Sequence, residues 1–255
     1  MRQLQIPGHV HVCRDGDFVV MLDVRRDRYW ALEAERTAAL SSIVAGWPAA
    51  PSAKPTRSNF SGTDATDVGA AGVNVTEAVQ MLIDNGLLSD VPGDGTPATG
   101  DRRDPTPDSD VLPQHELLAD GAEAAVGATN VVRFVVAATT AATLLRCFPF
   151  ARAIERVRRR KADRDACNDD AELTRSATLV AAFATLQPVL FSRRDACLFN
   201  SLALIEFLAA HAVYPEWVFG VQGRPFAAHC WVQKHGVLLN DTLDHVRRYT
   251  PIMVV

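Results

Sequence analysis

The sequence predicts an α+β protein in two parts. Three observations carry that expectation: a strand meander around an Asp15-Gly16 turn, a proline-rich polar stretch at 90–110, and a helical region that yields to short strands after Tyr214. His9 to Arg14 and Phe18 to Asp23 flank the Asp15-Gly16 pair and read as a hairpin. The polar corner Arg25-Arg26-Asp27 then leads into a third strand at Tyr29 to Leu32. Glu33 to Val44 carries Leu40, Ile43 and Val44 at helical spacing and ends at Gly46, so it is expected to be a helix. Residues 47–75 are poor in large apolar side chains and read as a surface insertion. Order resumes at VTEAVQMLIDNGLL, a helix capped by Thr76, with Val79, Leu82 and Ile83 on one face and Asn85-Gly86 as its stop.

The stretch 90–110 holds four of the fourteen prolines and almost no apolar bulk, which divides the chain into 1–90, a linker at 91–111, and 112–255. A three-stranded sheet with an open edge beside a helix suits capture of a peptide as an added strand. It suits a structural or dimerisation module equally well. The second part is mostly helical to about Leu190, with Phe134 to Leu145 expected as a buried helix.

Composition excludes several function classes. With 255 residues, 48% apolar and 22% charged, the chain can bury a core and is not dominated by disorder. A net charge of −4 argues against nucleic-acid binding through overall charge. No uninterrupted apolar run reaches the usual spanning length, because Val131 to Phe150 contains Arg133 and Arg146. No membrane is therefore expected as a partner. The first residues, MRQLQIPGHV, lack the apolar centre of a signal peptide, so the cytoplasm is the expected compartment. Five scattered cysteines without a CxxC pair agree with that and make a disulfide framework or zinc ribbon a poor fit. The three lysines, none of them after a glycine, exclude a Walker phosphate loop. The basic run Arg156 to Arg164 reads as a solvated helix face.

Chemistry concentrates in the last sixty residues. In SRRDACLFNSLALIEFLAAH, Asp195 is a helix cap and Leu198, Leu202, Ile205 and Leu208 form a buried stripe. Cys197 then lies in the first turn, where unpaired amides, the helix dipole, Arg193 and Arg194 all favour the thiolate that nucleophilic attack requires. Downstream, Trp217 to Val221 and Ala227 to Gln233 read as strands, with Lys234-His235-Gly236 as a turn and Val237 to Asp241 as the return strand. A hairpin centred on His235 sets His229 opposite Asp241 on one face, where a carboxylate can hold the imidazole. A bulge would put Asn240 there instead, and Asp244 is a weaker substitute. Cysteine on a helix start, then histidine and aspartate on a hairpin, is the papain and transglutaminase order. Zinc at Cys197, His229 and Cys230 fits poorly, since adjacent strand residues face opposite sides. No metal and no cofactor is expected.

RRDACLFNSLALIEFLA, AHCWVQ and LLNDT together resemble the transglutaminase-like cysteine protease domain of lasso peptide biosynthesis B proteins, over residues 112–255. DGDFVVMLDVRRDRYWAL and LIDNGLL resemble the same family's precursor recognition element, a small winged-helix module similar to the peptide chaperone of pyrroloquinoline quinone biosynthesis. The two halves occur fused in some members and separate in others; this chain resembles the fused form. The resemblance implies an N-terminal winged-helix-like recognition domain joined to a papain/transglutaminase-like α+β protease domain. It implies that the leader of a ribosomally made lasso precursor adds to the edge at Arg28 to Leu32, with Val79, Leu82 and Ile83 as the second wall and Tyr29, Trp30 and Leu82 as pocket residues. It further implies cleavage at the leader's end, with Cys197 as nucleophile, His229 as proton carrier and Asp241 as its support. The amide of Cys197 becomes one oxyanion donor and Gln187 a candidate for the second. An asparagine-synthetase-like cyclase is the implied partner for ring closure. Acyl transfer by the same triad and a non-catalytic peptide carrier are the alternatives.

Overall fold

Strand pairing and helix packing are described here from a computed structural model covering residues 4–48, 75–89, 111–117, 127–162, 170–190 and 197–255. Nearly all of the expected insertion and linker, and the expected cap Asp195 with Arg193 and Arg194, lie outside the described residues.

A short strand β1 (Leu4–Gln5) precedes the meander β2 (Val10–Asp15), β3 (Phe18–Asp23) and β4 (Arg28–Glu33). The three pair antiparallel in the order β2-β3-β4, so β4 is an edge strand. Gly16 and Asp27 take positive φ at the two corners, and Asp23 accepts the backbone amides of Arg25 and Arg26 to tie down the second corner. The expected helix at Glu33 to Val44 is broken. It becomes one turn, α1 (Ala34–Thr37), a 3₁₀ segment at Ala38–Ser42, and a strand β5 (Val44–Ala45) paired parallel with β1. One local and one distant cause are visible: Thr37 bonds back to the carbonyls of Glu33 and Ala34, and Val44 is claimed by Leu4. α2 (Val75–Asp84) starts one residue before its expected cap Thr76 and ends as expected at Gly86, with φ of 70°.

β6 (His115–Glu116), α3 (Ala128–Cys147), α4 (Phe150–Ala162), α5 (Asp170–Leu190), α6 (Cys197–Ala209), β7 (Glu216–Gln222), β8 (Ala227–Lys234), β9 (Val237–Leu238), α7 (Leu243–Val246) and β10 (Thr250–Val254) complete the described elements. The second sheet runs β10-β7-β8-β9-β6, with β6 parallel to β9 and its other pairs antiparallel. Neither β6 nor β10 is expected from the sequence. α6 packs on α3 and α5 and on β8. It is buried on every side from Asn200 to Leu208, and Leu198 is only half-buried, so the single stripe expected for it is wrong. α3 is buried along Phe134, Ala137, Ala138, Ala141 and Leu144 but leaves Val132 at 63% and Val136 at 59% exposed, so it is half a core helix. It is also long and apolar enough to cross a membrane by length and composition.

The two faces of the first sheet serve different cores. Val10, Val19 and Met21 join Leu40, Val44, Leu82 and Leu87 in a small core of their own. Cys13, Val20, Leu22 and Val24 instead belong to the large core built from α3, α4, α5, α6 and the second sheet. The seam is also pinned by polar contacts. The carboxylate of Asp15 accepts the amide of Gly223 and the hydroxyl of Thr250, each at 2.6 Å.

Glu206 stands out on α6, being 5% exposed in the apolar centre. Arg156 meets it at 2.8 Å and Arg160 at 2.7 Å, both from α4. The basic run is therefore not simply a solvated face, because two of its arginines hold a core carboxylate. Breaking such a buried pair from one side strands a charge, whereas removing it whole is nearly neutral. Replacing both Arg156 and Arg160 by Met should cost about 3–5 kcal/mol in urea unfolding, and replacing all three with Glu206→Leu should recover most of it.

Candidate active site

The nucleophile candidate and its base reach each other because α6 packs its first turn on β8. Cys197 is the first residue of α6, where helix amides have no partners within the helix. His229 lies on β8 opposite Gly220 of β7. A Cβ at Gly220 would stand 2.8 Å from the Trp231 ring and 2.8 Å from Cβ of Tyr249, so only glycine fits there. That close fit lets three rings surround the imidazole: His245 at 4.5 Å, Tyr249 at 5.1 Å and Trp231 at 6.2 Å between centroids.

The β8–β9 turn differs from expectation by one position. Its central residues are His235 and Gly236, both at positive φ, so Gln233 faces Leu238 and Lys234 faces Val237. On that register Asp241 would not face His229, and the ladder does not extend so far. Leu239 makes the last backbone bond, to Val232. Asn240 then leaves the strand and accepts the Val232 amide with its side chain at 2.8 Å, while its own amide donates to Ser201 on α6 at 3.1 Å. Released from the ladder, Asp241 turns back, and its carboxylate meets His229 Nε2. The carboxylate also accepts the Thr242 amide and meets His245 Nδ1 at 2.9 Å. Of the sequence's candidates it is thus Asp241 that meets the imidazole, with Asn240 pinning the hairpin to the helix.

Electrostatics follow from these contacts. The thiol of Cys197 is drawn down to about 4, chiefly by a hydrogen bond from the Cys230 thiol; burial opposes this, and His229 adds a hydrogen bond and positive charge. Burial alone would lower His229, but hydrogen bonds to Asp241 and Cys197 more than reverse it, raising it to about 9. Asp241 is held below the usual carboxylate range because, against burial, it accepts from His229, Thr242 and His245. Between about pH 4 and pH 9 the pair therefore rests as thiolate and imidazolium. With Nε2 given to Asp241, Nδ1 is the nitrogen left for the sulfur.

Two contributors escape the sequence. Cys230 follows His229 on the strand, and alternation places it on the opposite side; yet its thiol reaches Cys197, and it also lies 3.8 Å from the Ser201 hydroxyl. Its own pKa is driven well up by burial, which suits a donor that stays protonated. His245 sits one helical turn beyond Asp241, in a helix that no expectation covers. His229, Asp241 and His245 each place a ligand atom within 4.8 Å of the others, a set that could seat a divalent cation only by competing with the relay. Gln187 is buried near the end of α5.

Residues 135–254 match the transglutaminase-like superfamily. The chain carries a transglutaminase-like domain. No curated protein and no solved structure matches. The matched segment begins within α3 and runs through β10, so it contains Cys197, His229 and Asp241 and omits the first sheet. A transglutaminase-like domain points to cysteine peptidase or acyltransferase chemistry, both of which use a cysteine nucleophile with a histidine base.

The expected leader-binding residues divide. Trp30, Leu32, Val79 and Ile83 are half-buried against the small core. Leu82 is fully enclosed and is a core residue rather than a pocket wall. Arg28 is exposed at the start of β4. Tyr29 faces the other way, toward the large core.

The acid limb of kcat/KM should lie near pH 4, where the thiolate forms, and the alkaline limb near pH 9, where His229 loses the proton a leaving group needs. Cys230→Ala should move the acid limb of Cys197 labelling by iodoacetamide upward from about pH 4 by about one pH unit, the effect of one lost hydrogen bond of about 1.4 kcal/mol. Unchanged labelling in that variant would remove Cys230 from the account.

Proposed function

We propose that this chain is a cysteine peptidase that removes the leader from a ribosomally made lasso peptide precursor. The observation that carries the chemistry is the contact chain from Cys197 through His229 to Asp241. The thiolate attacks the scissile carbonyl, and the imidazolium gives its proton to the departing amine while Asp241 keeps the ring aligned. Water activated by the now neutral imidazole releases the acyl group. The Cys197 amide at the start of α6 is suited to the oxyanion, with Gln187 the candidate for a second donor.

Support for a peptide substrate comes from the first sheet. Among the described residues β4 pairs only with β3, leaving one edge able to accept an extended strand. Trp30, Leu32, Val79 and Ile83 give that strand an apolar neighbour. Tethering a leader there raises the local concentration of the bond to be cut. The asparagine-synthetase-like cyclase is the proposed consumer of the freed amine. The free thiols among the described cysteines suit a reducing compartment such as the cytoplasm.

Incubating the purified chain with a precursor peptide and reading masses tests the proposal. Cleavage at the leader boundary is expected, with its rate falling at least about a thousandfold in Cys197→Ala, as for loss of a catalytic nucleophile. Cleavage that survives this substitution refutes the mechanism. A product carrying the mass of an added amine would identify acyl transfer instead, and binding without any covalent change would identify a carrier.

A further inference from the structure

One side chain of the first sheet packs on the large core that Cys197 also packs on. Along β4 the side chains alternate: Trp30 joins the small core, while Tyr29 turns to the opposite face and packs on the same buried cluster as Cys197 and Phe199. The Tyr29 ring lies 5.7 Å from that of Phe226, tilted by 60°. Phe226 immediately precedes β8, three residues before His229, and is 49% exposed, unusual for so large an apolar side chain next to a well-packed strand.

The turn that presents Phe226 is held by the first sheet. Asp15 accepts the Gly223 amide, Arg224 lies 4.9 Å over the Phe18 ring, and a Cβ on Gly223 would come within 2.8 Å of Phe18. The phenol of Tyr29 is pushed well above its ordinary pKa by burial, with the negative charge of Asp27 and Cys197 adding to it, so it is neutral and within electrostatic reach of the Cys197 sulfur.

We propose that Tyr29 and Phe226 form one wall of the substrate cleft beside Cys197, so that a residue of the first sheet decides which side chain can flank the bond under attack. Two rings packed at a tilt make that wall apolar and narrow. It admits small or slender uncharged groups and turns away bulky ones. For the natural substrate this rests on the cysteine peptidase reading, but the wall can be tested without it.

The test compares alkylation of Cys197 in the full chain by iodoacetamide and by a bulky aromatic haloketone, each read from the mass of the Cys197 peptide. Tyr29→Ala and Phe226→Ala should each raise the haloketone-to-iodoacetamide ratio by about tenfold, the usual scale for enlarging an apolar pocket, while Tyr29→Phe leaves it unchanged. The ratio cancels any effect on the thiolate that both reagents feel equally. A ratio unaltered in both alanine variants, or both rates falling together, overturns the wall and leaves Tyr29 a packing residue. Should Tyr29→Ala fail to fold, Phe226→Ala at its half-exposed position decides alone. A shifted ratio in a protein that never cleaves a precursor would sustain the wall and refute the peptidase reading.

Discussion

The hydrogen bonds that converge on one sulfur govern how the second half of the chain is built. Cys197 must be at the start of a helix, where amides are unpaired, and that helix must press its first turn on the strand that bears His229 and Cys230. The burial of α6 follows from this. A helix wedged between α3, α5 and a sheet has little room to move, and it fixes the thiol relative to the ring. Asn240 and Ser201 stitch the same helix to the departing end of the hairpin, so the turn that carries Asp241 is registered against Cys197 as well as against His229. The thiol's low pKa and the imidazole's high one express that registration in proton affinity.

Much of this is legible in the sequence where local rules decide. The meander is set by an Asp15-Gly16 corner and by side chains that alternate, and each signal is contained within a few residues. Cys197, His229 and Asp241 are legible because a cysteine at a helix start, then a histidine and an aspartate on a hairpin, follow a recognisable order. Failures occur where a distant partner overrides a local pattern. Leu40, Ile43 and Val44 keep helical spacing, yet Val44 goes to a strand because Leu4 offers it one. β10 reads as an undivided apolar run opened by Thr250-Pro251 and gives no alternation, since it packs on β2 and β7 at once.

Other features lie beyond any window of sequence. His235 at positive φ moves the hairpin by one residue, and Asp241 reaches the imidazole only because the ladder ends early. Cys230 is hidden by the alternation rule, which locates side chains relative to a flat sheet and not relative to a helix end that lies across it. Glu206 in an apolar helix looks like an error until Arg156 and Arg160 arrive from α4.

The seam between the halves has a consequence for how such a protein could evolve. Cys13, Val20, Leu22 and Val24 are as deeply enclosed as the residues of the helices they touch. Were the polypeptide severed between them, each fragment would present a greasy surface to water and would gain by finding its counterpart again. Shuffling the front portion onto another transglutaminase-like domain would require a matching relief there. Sequence change is more easily absorbed on the outward edge of β4, which among the described residues pairs with no strand but β3.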